Sequence, residues 1–119
     1  MELIPIAQLG PSLVSPEVKR IRAVVTIIWP YSSSTKSAAL LLVEPDFRLR
    51  SKNGQVRVQL RGASAEAVAR SGLASGDLVL LHLEGAHWVE ATPGISTPGK
   101  SVDLELVYRS RLTLQVGLL

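Results

Sequence analysis

Three runs of apolar and β-branched residues between positions 21 and 60 set the frame of this chain. The first, IRAVVTIIWP at 21–30, is rich in Val, Ile and Thr, whose branched side chains suit a pleated, half-buried surface. It predicts a strand from about Lys19 to Trp29, ended by Pro30, which removes a ladder donor. The second run is apolar from Ala38 to Val43 and stops at Glu44-Pro45-Asp46, a turn signal. The third alternates strictly. Val56, Val58 and Leu60 point one way, and Gln55, Arg57, Gln59 and Arg61 the other. Period-two alternation means that one face packs and one meets solvent or a ligand.

The remaining segments fit around these strands. The apolar stretch 3–9, broken by Pro5, predicts a cover segment with one helical turn at 6–9, and Ser15-Pro16-Glu17 caps at most one short turn. Beyond Gly62, residues 63–71 (ASAEAVARS) predict the only convincing helix. Ser64 is its expected N-cap, Ala67 and Val68 its inner face, and Gly72 its stop. Residues 78–83 predict a fourth strand, which Gly85 and Ala86 allow to bend. TPGISTPGK at 92–100 reads as a loop with two turns, and 102–118 as one long bent strand or a hairpin turning at Arg109-Ser110. Three strands, a helix and two strands in about 100 residues predict an all-β fold, the five-stranded Greek-key OB-fold barrel with one short helix between the third and fourth strands. An SH3-like barrel or a small β-sandwich expects no helix there. The organisation expected is a single domain over 1–119, with 1–18 as cover and 19–118 as barrel. The length is equally that of a domain cut from a longer protein.

Composition narrows the function classes. Hydrophobic residues are 46% and charged residues 19%, enough apolar material to fold. A net charge of +3 suits a polyanionic partner without a histone-like excess. Aromatic residues are only 4%, cysteine is absent and there are two histidines, so disulfides and thiolate metal sites are excluded and no cofactor is expected. No window has the apolar length to span a bilayer, and no basic segment precedes an apolar one at the N-terminus. A cytosolic or nuclear protein with no membrane partner is the expectation. Glu44, Asp46, Glu84, Glu90, Asp103 and Glu105 are scattered, His82 sits among apolar neighbours, and no nucleophile elbow or phosphate-cradling loop is present. The chain reads as a binding protein and not as an enzyme.

A single-stranded nucleic acid asks for cations along its phosphates, rings under its bases and amides at its base edges. Lys36 lies in the loop between the first two strands, with Tyr31 at its start; Tyr31 either stacks on a base or packs over the barrel mouth. Arg48 and Arg50 share one side of the segment 47–50 and Phe47 and Leu49 the other, so Phe47 is a core candidate. Arginine's planar fork suits phosphates and guanine edges. Gln55, Arg57, Gln59 and Arg61 continue the basic face along the third strand, while Lys52-Asn53-Gly54 reads as a turn. Trp88 and Lys100, near His87, belong to the connection between the last two strands. Trp88 is either a base platform or core. Trp29, in phase with Val25 and Ile27, reads as core or rim.

The succession Ile21-Arg-Ala-Val-Val-Thr-Ile-Ile-Trp-Pro30, the Ser-Ser-Ser-Thr-Lys36 loop, Leu40-Leu-Leu-Val-Glu-Pro-Asp46 and Ser75-Gly-Asp-Leu-Val-Leu-Leu-His-Leu-Glu84 resembles the telomere end-binding OB-fold family of the protection-of-telomeres type. The likeness runs from about Ile4 to Gln115. It implies a nuclear protein of the chromosome's telomeric region, fungal in type, that grips the single-stranded G-rich DNA overhang across its second and third strands in telomere maintenance. Other telomere-complex proteins are the further partners it implies. Two alternatives stand beside it: an OB-fold module that docks a protein or itself through apolar ends such as 112–119, and a generic oligonucleotide- or RNA-binding barrel.

Overall fold

The computed structural model describes residues 2–90 and 101–117. Among them are eight strands and one α-helix, in the order β1 (Glu2–Leu3), β2 (Lys19–Ser32), β3 (Ser37–Val43), β4 (Gln55–Arg61), α1 (Ala63–Arg70), β5 (Leu78–His82), β6 (Ala86–Glu90), β7 (Leu104–Tyr108) and β8 (Leu114–Val116). The hydrogen-bonded order is β6-β7-β4-β3-β2-β5-β8, with β1 parallel to β2. A largely antiparallel meander with its helix after the third long strand is compatible with an OB-like barrel.

The expected five-stranded closed barrel is corrected on both counts. Among the described residues the strands are eight and the ladder is an open path, because the cover segment adds β1 and the two expected C-terminal strands each break in two. The fourth becomes β5, paired with β2, and β6, paired with β7. The fifth becomes β7, parallel to β4, and β8, antiparallel to β5. Since β7 and β8 do not pair with each other, the hairpin at Arg109-Ser110 is not formed. Both breaks fall at one level. Gly85 has φ +90°, and a Cβ there would stand 2.7 Å from the Arg111 carbonyl oxygen; Glu84 and Arg111 pair beside it. Only glycine takes that backbone at no steric cost, so the kink in one strand is locked to the kink in the other.

Inside, the alternation of β4 is obeyed. Val56, Val58 and Leu60 are fully buried, against Leu40 and Leu42 of β3, Ile21, Ala23 and Val25 of β2, and Leu106 and Tyr108 of β7. Each such side chain stabilises the fold by about 1.5–3 kcal/mol. The N-terminal cover forms a 3-10 turn at Ile6–Gln8 with Ile4, Ile6 and Leu9 buried. Buried Glu44 anchors it by accepting from the Ile6 amide at 2.5 Å. Helix α1 presents Ala65 and Val68 inward, whereas Ala67, expected inside, is exposed. Gly62 and not Ser64 is the N-cap. The buried Ser64 hydroxyl instead donates to the Tyr108 carbonyl at 2.7 Å, tying the helix to the end of β7.

Candidate nucleic-acid interface

The outer face of β2, β3 and β4 is decided by one extra residue. Val25 lies opposite Leu42 and Ile27 opposite Leu41, so Thr26 is a bulge, and a bulge re-aims everything after it. Val25 is buried, while Ile27 is 44% exposed and Trp29, opposite Ala39, turns outward. Trp29 is therefore out of phase with Val25, contrary to the sequence alternation. The bulge is held from a distance. The Val25 amide donates to the Asp77 carbonyl at 2.9 Å, Gly76 N to the Val25 carbonyl at 2.7 Å, and the Ser75 hydroxyl to the Thr26 carbonyl at 2.9 Å.

Register then assembles two rows across the outer face. Trp29 lies opposite Ala39, which lies opposite Gln59; Leu41 lies opposite Arg57; and β7 adds Val107 beside Gln59. Ala39, Leu41 and Val107 are buried and form the floor. Glu105 of β7, 1% exposed, is the centre. Arg57 Nη1 donates to it at 3.1 Å and Gln59 Nε2 at 2.5 Å. Arg61 donates to Gln59 Oε1 at 2.9 Å, which fixes the way the Gln59 amide points. The Arg57 guanidinium lies 4.9 Å from the Trp29 ring centroid, a cation–π arrangement. Its Nε has no hydrogen-bond partner among the described residues. A cleft of about 170 Å³ lies alongside, lined by Trp29, Pro30, Ser37, Arg57, Gln59 and Arg61 among others. It offers a ring face, a cation, and an amide held in one orientation. These are the groups that stack, neutralise and read an unpaired nucleotide.

The structure gathers some of the expected site residues here and disperses the others. Arg57, Gln59 and Arg61 belong to the cleft. Lys36 is exposed in the β2–β3 turn with φ 53°. Gln55, one pleat further along β4, donates to the Ser101 hydroxyl at 2.7 Å. Tyr31 lies on the other side of the β2 end, past a second irregularity between Trp29 and Ser32. It packs against the core, and its hydroxyl bonds Glu66 at 3.4 Å. Desolvation, with Glu66 adding to it, raises the Tyr31 pKa above its usual value. Arg48 is exposed and paired with Asp46 at 3.0 Å, whose carboxyl it holds below the usual range through hydrogen bonds. Arg50 donates to the Glu44 carbonyl at 2.6 Å. Trp88 lies opposite Leu106 and packs with the core cluster. Lys100 lies outside the described residues. Phe47, expected inside, is 79% exposed, because 47–49 forms a 3-10 turn and not an alternating strand.

Sequence reasoning missed Trp29 as an outer-face residue and Glu105 as the centre. A Thr in a β-branched run carries no mark of a bulge, and Glu105 meets Arg57 only through the parallel β4–β7 pairing. Among the described residues no group of three or more His, Asp or Glu is placed to hold a metal ion.

The family described as "Domain of unknown function (DUF8502)" matches residues 1–118, and the chain belongs to it. No curated protein matches it in sequence. Solved structures share its fold. One is Schizosaccharomyces pombe Pot1pC bound to single-stranded DNA (CGGTTACGGT), with TM-score 0.62 and 16% identity over 98% of this chain and 87% of that one. Another is fission yeast Pot1 with single-stranded DNA, with TM-score 0.58 and 15% identity over 98% of this chain and 39% of that one. At such identities the likeness is one of fold.

Proposed function

We propose that this domain binds single-stranded DNA across the outer face of β2, β3 and β4, with the G-rich telomeric overhang as its ligand and the chromosome end in the nucleus as its place of action. The observation that carries the reading is the connected set Trp29–Arg57–Glu105–Gln59–Arg61 beside an open cleft. Glu105 fixes Arg57 and Gln59 before any ligand arrives, which lowers the ordering cost of binding. The shared fold with two Pot1 structures solved with single-stranded DNA supports the ligand class. Lys36 and Arg61, both exposed, are the phosphate contacts in this reading. Trp29 is the stacking ring.

Fluorescence anisotropy with a labelled G-rich telomeric strand, its C-rich complement and their duplex, at two salt concentrations, tests this. The expected result is preferential binding of the G-rich strand that weakens with salt. In the Lys36→Glu/Arg61→Glu variant the slope of log affinity against log salt drops by about 1.4, two contacts at about 0.7 each. Equal affinity for duplex and single strand, or an unchanged slope in that variant, counts against the reading. A protein-docking reading rests on the adjoining apolar cleft of about 220 Å³ between α1 and the β2 end, which shares Trp29 and Pro30 with the cleft beside Arg57 and adds Ile28, Tyr31, Val68 and Leu73 among others. A salt-insensitive protein contact with no DNA binding is its signature.

A further inference from the structure

The β3–β4 connection holds out an aromatic ring that the Trp29 cleft does not use. Phe47 is 79% exposed, yet the turn carrying it is firmly built. The Asp46 carboxylate accepts from the Arg48 amide at 3.0 Å. The Arg50 side chain is fastened to the Glu44 carbonyl at 2.6 Å. Gly54 closes the turn so tightly that a Cβ there would stand 2.5 Å from Arg50 Cα. The Arg50 guanidinium covers one face of the Phe47 ring, 4.2 Å from its centroid; the high exposure of the residue leaves the other face to solvent.

Residues 44–54 hold three cations, Arg48, Arg50 and Lys52, against Glu44 and Asp46. Exposed Arg22 of β2 shares a neighbouring cleft with Asp46 and Leu49. The segment is also continuous with the outer face. Leu41 lies opposite Arg57 and Val43 opposite Gln55, a step of about 7 Å along the strands, and the connection begins at the next residue. A strand leaving the Trp29–Arg57 cleft along β3 and β4 runs towards Phe47.

We propose that Phe47, backed by Arg50, is a second base-stacking platform, which extends the single-stranded nucleic-acid path beyond the β2–β3–β4 cleft and onto the β3–β4 turn. It rests on the DNA-binding reading above. An aromatic face stacks any base, so this platform adds length to the footprint without adding sequence preference.

Two G-rich oligonucleotides of about 6 and about 12 nucleotides, within the footprint range of such folds, separate the proposal from the reading it rests on. Phe47→Ala is expected to weaken the longer strand about tenfold, the loss of one stacked base. The shorter strand should be unaffected, and Phe47→Trp should keep the wild-type affinity for both. Because Phe47 is exposed, circular dichroism and thermal unfolding of the variants should match wild type. Unchanged affinity of Phe47→Ala for the longer strand, with wild type binding both, overturns the platform and leaves the DNA reading standing. Equal losses on both lengths overturn it as a separate platform. Failure of the wild type to bind either strand overturns both.

Discussion

Replacing Arg57 with alanine strips a partner from a carboxylate that has almost no access to water. The Arg57 and Glu105 side chains are 16% and 1% exposed, with 3.1 Å between them. Breaking a buried pair in this way usually costs about 3–5 kcal/mol. Gln59 still donates to Glu105, which puts the loss at or just below the lower end of that range, about 2–3 kcal/mol, including the lost contact with Trp29, worth about 0.5–1 kcal/mol. Urea unfolding of wild type and variant at pH 7 measures it directly. Arg57→Ala/Glu105→Gln, which removes the carboxylate's charge, should recover part of the stability. A variant within about 0.5 kcal/mol of wild type, the scatter of ordinary surface changes, would refute the reasoning. Arg57 is thus a poor first choice for testing DNA contacts, and exposed Arg61 and Lys36 are better ones.

Gly54→Ala should cost about 3 kcal/mol or more, as overpacking does where the neighbours are backbone. Its Cβ would meet Leu49 and Arg50 backbone atoms, and thermal unfolding reads the loss; a neutral result would mean that the β3–β4 turn is loose. Burial lifts the Tyr108 hydroxyl, which donates to the His82 carbonyl at 2.8 Å, far above its usual range. Its contribution is then complete below pH 10 and lost above it, by about 1.4 kcal/mol per pH unit. Tyr108→Phe should flatten that alkaline slope in urea unfolding between about pH 9 and 11, and an unchanged slope would mean another group is responsible. Trp29→Ala should weaken DNA by about 1–3 kcal/mol, the value of one stacked base, in equilibrium anisotropy; an unaltered affinity would move the stacking ring elsewhere.

The strands of this chain were legible because their signals are local. Alternation in 55–61 and the β-branched run from Ile21 predict β4 and β2 within a few residues. The dispersal of the site was not legible, for physical reasons that can be named. A single inserted residue, Thr26, reverses the phase of Trp29, and what holds it is the turn at 75–77, some 50 residues away. Glu105 looked like one of several scattered acids until the parallel register of β4 and β7 set it under Arg57 and Gln59. A period of two makes Phe47 a core candidate, but that period does not apply across a 3-10 turn. Two of the three extra strands come from paired kinks at Gly85 and Arg111, and the third is β1 alongside β2. Glycine allowed the first kink, but only the contact between the two kinks fixes it.

The chain has two tryptophans, and the structure puts one on each side of the sheet. Trp29 lines the outer cleft and Trp88 packs with the core. Titrating the isotope-labelled domain with a G-rich single strand, and following the two indole N–H resonances by NMR, therefore tests the central claim most directly. The account predicts that the Trp29 indole shifts or broadens together with the Arg57 and Arg61 amides, while the Trp88 indole stays in place. A response confined to Trp88, or one centred on α1 and β8 with Trp29 silent, would contradict it.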